Sequence, residues 1–179
     1  MVRFFLWFLV LQAALFGLEL TPWAQQWFVV PWTNTLAAIS AGIVKLFDPQ
    51  VLAHGKVLQS ASNGFAVSIE AGCNGVEATI VLVAAVLAFP ASWRRKLAGL
   101  AIGIIAVQGL NIVRVISLFY LGQWNMQVFE WAHLYVWQAL IMLDVLVVWL
   151  VWVRMLPRDD GAFGGPGGPG GGTASPVSA

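Results

Sequence analysis

The sequence centres on residues 65–77, Phe65-Ala-Val-Ser-Ile-Glu-Ala-Gly-Cys73-Asn-Gly-Val-Glu77, which run directly into an apolar segment. This stretch holds the only cysteine among 179 residues, at the point where a loop meets that segment. Gly72 and Gly75 allow tight turns of the backbone and leave the sulfur open to approach. A cysteine that serves packing would more naturally lie inside an apolar run, so we interpret Cys73 as a nucleophile.

The composition is typical of an integral membrane protein. Hydrophobic residues make up 60% of the chain and charged residues only 9%, which is too little charge to cover a soluble domain of this size. The net charge of +1 gives no indication of nucleic-acid binding. One cysteine excludes an internal disulfide, and the sequence has no CxxC or HExxH spacing, so we expect neither a metal site nor a cofactor.

Four apolar segments predict an all-α helical bundle in the membrane. They cover residues 4–20, 76–93, 97–121 and 134–153, and a helix needs about 20 apolar residues to cross a bilayer. A cleaved signal peptide is the alternative for the first segment, but residues 18–22 make a poor cleavage site.

The region between the first two spans, residues 22–75, is expected to lie outside the cytoplasm and to form two small elements. Residues 33–47 have helical spacing but are short and punctuated, which favours a helix lying in the membrane interface. A fifth span is the alternative for this segment. Residues 56–61 and 65–70 flank an Asn-Gly turn signal at residues 62–64, so they predict a small β-hairpin just before the cysteine.

This pattern divides the chain into four parts. They are a first transmembrane helix (1–21), the extracytoplasmic region (22–75), a three-span catalytic core (76–156) and a Gly/Pro-rich cytoplasmic tail that we predict to be disordered (157–179).

The basic residues predict the orientation of the spans. Arg94-Arg95-Lys96 and the pair Arg154 and Arg158 belong in the cytoplasm by the positive-inside rule. This arrangement places Cys73 on the extracytoplasmic face, whether or not residues 33–47 cross the membrane.

Three reactive side chains are expected near that face. Arg114 lies about 10 Å below the outer end of its span, at about 1.5 Å per residue, and His133 lies where the last span begins. An arginine inside a span needs a partner or a task, because burying its charge in lipid is costly. Taken singly, Arg114 could snorkel outward or pair with Glu77, and His133 could be an ordinary interfacial residue. A lone cysteine could likewise be inert, but the common depth of all three favours a site.

The chemistry of these groups is that of acyl transfer. A thiolate is a strong nucleophile, and a nearby imidazole or guanidinium lowers the pKa of a thiol toward neutrality. His133 could take the thiol proton and return it to a leaving amine, while Arg114 could stabilise the oxyanion of a tetrahedral intermediate. The pattern predicts cleavage of a peptide bond through a thioester on Cys73, resolved by water or by an amine.

Three further polar residues are candidates for supporting roles. Asn74 is either a helix cap or an oxyanion donor, and Glu77 could pair with Arg114 or His133. Asn111, one turn before Arg114, either orients the arginine or makes a plain contact between helices.

Two other polar positions are expected to be structural. Asp144 lies deeper in the last span and matches the depth of Gln108 on the neighbouring span, which favours a structural polar contact between them. His54 lies in the outer loop and is most simply a solvated residue.

Three sequence blocks resemble those of a known family. They are Glu70-Ala-Gly-Cys73-Asn-Gly-Val-Glu-Ala, Asn111-Ile-Val-Arg114-Val-Ile-Ser-Leu and Trp131-Ala-His133. In this order they resemble the Cys, Arg and His blocks of the exosortase/archaeosortase family, and the sequence around the cysteine is most similar to that of exosortase H. The resemblance covers about residues 64–156.

The resemblance implies a membrane enzyme of Gram-negative bacteria with sortase-like catalytic logic on an unrelated fold. Its substrates would be exported proteins that end in a short motif, a transmembrane helix and a basic cluster. The implied roles are nucleophile for Cys73, transition-state stabiliser for Arg114 and acid/base for His133. The chain departs from the family in length, since many members have about eight spans and this chain has room for four or five.

Two other classes of function remain open from the sequence. A non-catalytic membrane assembly or scaffold protein would tolerate loss of the Cys73 thiol. A small transporter or channel subunit, with Arg114 and Asp144 lining a path, would need polar groups through the full depth of the bundle, and the sequence has them mostly in the outer half.

Overall fold

The computed structural model describes residues 2–156, which form a helical bundle that carries a small antiparallel sheet. The predicted tail, residues 157–179, lies outside the described residues. The helices are α1 (Val2–Glu19), α2 (Pro22–Val44, with a π-helical turn at Gln25–Val29), α3 (Val76–Ala88), α4 (Trp93–Trp124) and α5 (Met126–Met155, with a π-helical turn at Ala132–Val136). The strands are β1 (Val51–His54), β2 (Val57–Ser60) and β3 (Ala66–Ser68).

Four of these helices, α1, α2, α4 and α5, are long and apolar enough to cross a membrane. The predicted all-α membrane bundle with a small β-hairpin is therefore confirmed. The division of the chain into four parts stays a prediction.

Helix α2 is longer than the sequence pattern indicated. Residues 33–47 were expected to form a short interfacial helix, but the helix begins at Pro22 and continues for 23 residues to Val44. A proline in the first turn lacks only an N–H that would be unpaired there anyway, so Pro22 opens the helix without disturbing it. This length is sufficient to cross the bilayer, which is the alternative that the sequence left open.

Helix α3 is shorter than the expected span of residues 76–93. It ends at Ala88 because Phe89 is extended, with φ −72° and ψ 137°, and Pro90 follows directly. A residue before proline avoids the helical conformation, since the proline ring would contact its backbone. The helix therefore has 13 residues.

The sheet has the strand order β1-β2-β3, and both pairs are antiparallel. The hairpin of β2 and β3 confirms the predicted turn, where Gly64 has a φ of 74° and the side-chain oxygen of Asn63 accepts a hydrogen bond from the Phe65 N–H at 2.9 Å. Strand β1 was not predicted; it is only four residues long and precedes the turn at Gly55.

The inner face of the sheet packs on α2 and α4. Ile69 is buried and Phe65 and Val67 are partly buried, whereas Ala66 and Ser68 are exposed, which agrees with the predicted alternation. The sheet and the two helices share one hydrophobic cluster, formed by Leu36, Ala37, Ala41, Val44, Val51, Leu58, Ile69, Val115 and Phe119. This packing holds the end of β3 against the carboxy-terminal half of α4.

The opposite half of the bundle is packed through small residues of α4. A Cβ atom at Gly99 would lie 2.2 Å from the indole nitrogen of Trp152, and one at Gly103 would lie 2.7 Å from a methyl group of Leu82. The same indole donates a hydrogen bond to the main-chain oxygen of Arg95 at 3.1 Å. Helices α3 and α5 therefore approach α4 as closely as glycine allows.

We expect Gly99→Ala to lower the free energy of unfolding by about 1–3 kcal/mol, because the added methyl group overlaps Trp152. Gly109→Ala is the matched control on the same helix, since its Cβ would meet nothing within 4 Å. The control should leave stability unchanged or raise it by up to about 1 kcal/mol. Unfolding in mixed micelles, followed by tryptophan fluorescence, measures both, and equal effects would contradict the close packing.

Candidate active site

The loop between β3 and α3 presents Cys73. The cysteine N–H donates a hydrogen bond to the main-chain oxygen of Glu70 at 2.9 Å, which closes a turn directly after the strand. Gly72 and Gly75 have φ values of 82° and 73°, in the left-handed region that side chains other than glycine rarely adopt. The two glycines flanking the cysteine are therefore required by the path of the loop.

Three segments distant in sequence meet at the sulfur. The Sγ of Cys73 lies 3.0 Å from the Nε2 of His133 on α5. It also accepts a hydrogen bond from the Nη2 of Arg114 on α4 at 3.5 Å. The structure thus brings together the three residues that the sequence singled out, at one depth in the bundle.

Arg114 is buried, with only 2% of its surface exposed. Its Nη1 donates a hydrogen bond to the main-chain oxygen of Gly72 at 3.1 Å. No carboxylate lies within ion-pair distance of the guanidinium in residues 2–156, where Lys56 and Glu70 form the one ion pair. The arginine therefore neither snorkels outward nor pairs with Glu77, and the loop supplies its hydrogen-bond acceptors.

His133 lies in the π-helical turn of α5. Its ring stacks on Phe129 with the ring centres 5.7 Å apart and the planes at 11°. A π-helical turn inserts an extra residue and so changes the face on which the following side chains lie. The turn and the stacked ring together aim Nε2 at the sulfur.

The Cys73 thiol does not have the lowered pKa that the sequence suggested. Burial raises the pKa of Cys73, the nearby Arg114 charge lowers it in part, and the carboxylates of Glu77 and Glu70 raise it further. Desolvation is the largest of these effects, because the half-buried cysteine is partly removed from water. The resting nucleophile is therefore a neutral thiol, and a base has to remove its proton.

Asn74 and Glu77 hold the loop rather than contact the reactive groups. The Oδ1 of Asn74 accepts from the Val76 N–H at 3.0 Å, and its Nδ2 donates to the Thr33 hydroxyl at 3.1 Å. The Asn74 side chain thus ties the loop to α2 and bonds to the first residue of α3, whose N-cap position is occupied by Gly75. The choice between a helix cap and an oxyanion donor for Asn74 stays a prediction. Glu77 accepts a hydrogen bond from the Gly72 N–H at 2.6 Å, so the expected pairing of Glu77 with Arg114 or His133 is wrong.

Helix α4 supports the loop from below through Gln108. The Nε2 of Gln108 donates to the main-chain oxygen of Gly75 at 3.1 Å and to the Thr79 hydroxyl at 3.0 Å. The expected contact between Gln108 and Asp144 is wrong, and the Oδ2 of Asp144 is buried without a hydrogen-bond partner in the described part of the chain. The position of Gln108 on the Arg114 helix, two turns earlier, was the signal that could have identified it.

Asn111 is completely buried on the same helix. Neither atom of its amide has a hydrogen-bond partner among the described residues, so it does not orient Arg114 through a hydrogen bond. Its Nδ2 would lie 3.1 Å from a Cβ atom at Gly75. Asn111 therefore limits the room below the loop.

Trp32 is a further residue of the site that sequence reasoning missed. Its indole donates a hydrogen bond to the main-chain oxygen of Asn74 at 3.1 Å. Only the fold shows this contact, because no local pattern links two residues so far apart in the chain. His54, by contrast, is exposed on β1 and belongs to the surface, as expected.

A cavity of about 180 Å³ lies beside the loop, between α1, α3 and α5. Gly72 and Gly75 form its wall on the side of the loop, and Gln12, Glu77 and Gln138 provide its polar lining. In the part of the chain that is described, no group of three or more His, Cys, Asp or Glu side chains could hold a metal ion. The site is a thiol, an imidazole and a guanidinium with a mostly apolar cavity nearby.

These observations define a thiol–imidazole–guanidinium site inside a bundle of membrane helices. Residues 3–151 match a family model described as transmembrane exosortase (Exosortase_EpsH). Because the match covers most of the chain, this protein belongs to the transmembrane exosortase family. The family resemblance seen in the sequence, in which exosortase H is one form, is confirmed. Neither a curated protein nor a solved structure matches the chain.

Family membership supports a general assignment. The chain is a multi-pass membrane protein, and the family supports a membrane-embedded sorting transpeptidase that acts on exported proteins. The roles of individual residues and the form of the substrate are not part of that general assignment.

The reactivity of Cys73 should depend on pH in a defined direction. Because burial raises its pKa, the rate of alkylation by iodoacetamide should reach its midpoint at a higher pH than for an ordinary cysteine. Arg114→Gln removes the charge that partly offsets burial, so its midpoint should lie higher still. Mass spectrometry of the intact protein reports this one thiol directly, and a midpoint below the ordinary value would contradict the assignment of a neutral thiol.

Gly75→Ala should displace the loop, because the added Cβ would lie 2.8 Å from Gln108 in addition to requiring a positive φ. Gly64→Ala is the matched control, since it has a φ of 74° and nothing within 4 Å of its Cβ. Both should lose about 1–2 kcal/mol of stability from the left-handed conformation. Only Gly75→Ala should lose further stability and change the alkylation rate of Cys73. Equal stability and equal alkylation rates in the two variants would show that Gln108 does not support the loop.

Proposed function

We propose that this exosortase is a cysteine-type membrane peptidase or transpeptidase that cleaves a carboxy-terminal sorting signal through a thioester on Cys73. The convergence of the His133 and Arg114 side chains on the Cys73 sulfur, at 3.0 Å and 3.5 Å, carries the proposal. A buried arginine whose acceptors include the thiol is costly as a purely structural element, which favours catalysis over a scaffold role.

The first step is attack of the sulfur on the scissile carbonyl carbon. His133 is the base within reach, because its Nε2 lies at hydrogen-bond distance from the sulfur. The resting thiol is neutral, so the proton moves to His133 as the carbon–sulfur bond forms. The electron pair of the carbonyl bond moves to oxygen and creates an oxyanion.

Arg114 is the donor that stabilises this oxyanion. Its Nη1 is held by the Gly72 carbonyl, so the guanidinium is fixed before the substrate arrives. Its Nη2 lies beside the sulfur, where the oxyanion forms. A preorganised charged donor contributes strongly to stabilising the transition state, because it needs no reorganisation during the reaction.

The second step releases the carboxy-terminal fragment. The protonated His133 gives its proton to the leaving amine, the carbon–nitrogen bond breaks and a thioester remains on Cys73. Water or an acceptor amine then attacks the thioester, His133 takes a proton from it, and the sulfur leaves and is protonated again.

The substrate signal consists of a short motif, a transmembrane helix and a basic cluster. Its helix would lie in the bilayer beside this bundle and place the motif at the layer of the membrane that contains Cys73. The chain itself would reside in the inner membrane with the site on the periplasmic face. The basic turn at residues 94–96 supports this orientation, since it lies at the opposite end of α4 from the site.

Substitution of the three residues tests these roles. Cys73→Ala should abolish cleavage of a tagged substrate in reconstituted membranes. His133→Gln should slow it by about 10²–10⁴-fold, and Arg114→Lys by about 10²–10³-fold. His54→Gln is the matched control, because His54 is exposed on β1, at the opposite edge of the sheet from the strand that leads to Cys73.

A thioester between the substrate and the protein should accumulate in the wild-type chain and be released by hydroxylamine. It should be missing from Cys73→Ala. If Cys73→Ala processes the substrate normally while it remains folded, the chain acts as a scaffold and the catalytic proposal is wrong.

A further inference from the structure

Strand β3 has one edge that no strand of the described chain covers. The sheet order is β1-β2-β3, so β3 pairs only with β2. Its residues Ala66 and Ser68 are exposed to solvent. An exposed edge with free main-chain groups is a template for another extended chain.

The hydrogen bonds of β3 show which main-chain groups lie on this edge. The main-chain oxygen of Phe65 accepts a hydrogen bond from the Ser60 N–H at 2.8 Å. The Ile69 N–H donates to the main-chain oxygen of Lys56 at 3.0 Å, so both groups point toward β2. Alternate residues of an antiparallel strand bond to the same neighbour. The N–H and C=O groups of Ala66 and Ser68 therefore point away from β2, toward the open edge.

The same edge leads to the nucleophile. Glu70 follows β3, and its main-chain oxygen accepts from the Cys73 N–H, so the sulfur lies one turn beyond the strand. A strand rises about 3.3 Å per residue, so a peptide paired with β3 needs only a few more residues to reach the sulfur. An extended peptide on this edge would thus approach the site along the direction of β3.

A peptide paired with β3 would lie beside the polar side chains on the exposed face of the strand. The Ser68 hydroxyl donates a hydrogen bond to the Glu70 carboxylate at 2.7 Å, and Lys56 pairs with the same carboxylate. Cross-strand neighbours interact directly, so polar residues of the peptide fit beside this face. The residues of the peptide between these polar positions would point to the opposite face of the sheet.

We infer that the open edge of β3 binds the cleavage motif of the exported protein as a fourth, extended strand. This inference rests on the proposed function, since it assigns the docking site of the same substrate. The occupant is the segment directly before the membrane helix of the substrate. Main-chain hydrogen bonds to Ala66 and Ser68 supply the binding, and the turn at Glu70 delivers the scissile bond to Cys73.

Proline substitution tests the edge without breaking the sheet. Ala66→Pro and Ser68→Pro each remove an N–H from the open edge, and proline is tolerated where the N–H of an edge strand faces outward. Each should lower kcat/KM for the tagged substrate by about tenfold or more, because a main-chain hydrogen bond to the peptide is lost. Alkylation of Cys73 should be unchanged, which shows that the site is intact.

Two control variants separate docking from folding. Ser62→Ala, in the turn between β2 and β3, keeps every main-chain N–H and loses only a hydroxyl bond to Ser60, so it should process the substrate like the wild type. Val67→Pro removes an N–H that points toward β2, so it should destabilise the sheet itself. Wild-type processing by both edge proline variants would overturn the docking mode.

Disulfide trapping maps the register of the bound peptide. Cys73→Ala removes the only native cysteine, and Ser68→Cys then introduces a single thiol beside the edge. Substrates that carry one cysteine at successive motif positions should cross-link at alternate positions, because strand side chains alternate between faces. Cross-linking without this alternation would contradict an added strand.

The outcomes distinguish this inference from the proposed function. If the thioester forms on Cys73 but the edge variants have no effect, the catalytic proposal stands and strand docking is wrong. If Ser68→Cys links only to a second copy of the chain, the edge is a contact between protomers and the inference is also wrong. If Cys73 is dispensable, the proposed function fails first.

Discussion

A guanidinium buried among membrane helices needs hydrogen-bond acceptors, because lipid cannot solvate its charge. Arg114 takes two acceptors from one loop, the carbonyl oxygen of Gly72 and the sulfur of Cys73. The loop must therefore reach down to α4, and this requirement determines where the sulfur lies. His133 meets the sulfur at this same position, from α5.

The remaining polar contacts keep the loop in that position. Asn74 ties it to α2, Glu77 holds the Gly72 N–H, and Gln108 holds the Gly75 carbonyl from below. The bonds of Asn74 and Gln108 are buried and pair groups that would otherwise be unpaired away from water, whereas the bond of Glu77 is exposed. The burial that they impose also raises the pKa of Cys73. The thiol therefore stays protonated until it attacks the substrate carbonyl and transfers its proton. A half-buried neutral thiol is a poorer target for adventitious alkylation or oxidation than a thiolate.

The sequence by itself determined the class of the protein and the identities of the central residues. So high an apolar content admits only a membrane bundle, and in such a chain each polar residue within a span stands out. Cys73 with its two glycines, Arg114 and His133 could be selected for that reason. The hairpin of β2 and β3 was equally readable, because an Asn-Gly turn and alternating burial are local signals. These features depend on neighbours in the chain, which the sequence contains.

The tertiary structure decided what those residues touch. Gln108 bonds to the Gly75 carbonyl instead of Asp144, Glu77 bonds to Gly72 instead of Arg114, and Trp32 reaches Asn74 from a distant helix. The direction of the Cys73 pKa shift was likewise inaccessible, since desolvation depends on how closely helices pack around the sulfur. Depth along a helix can be counted from the sequence, but rotation about the helix axis cannot. Rotation decides which of several polar groups at one depth meet, and only packing between distant segments sets it.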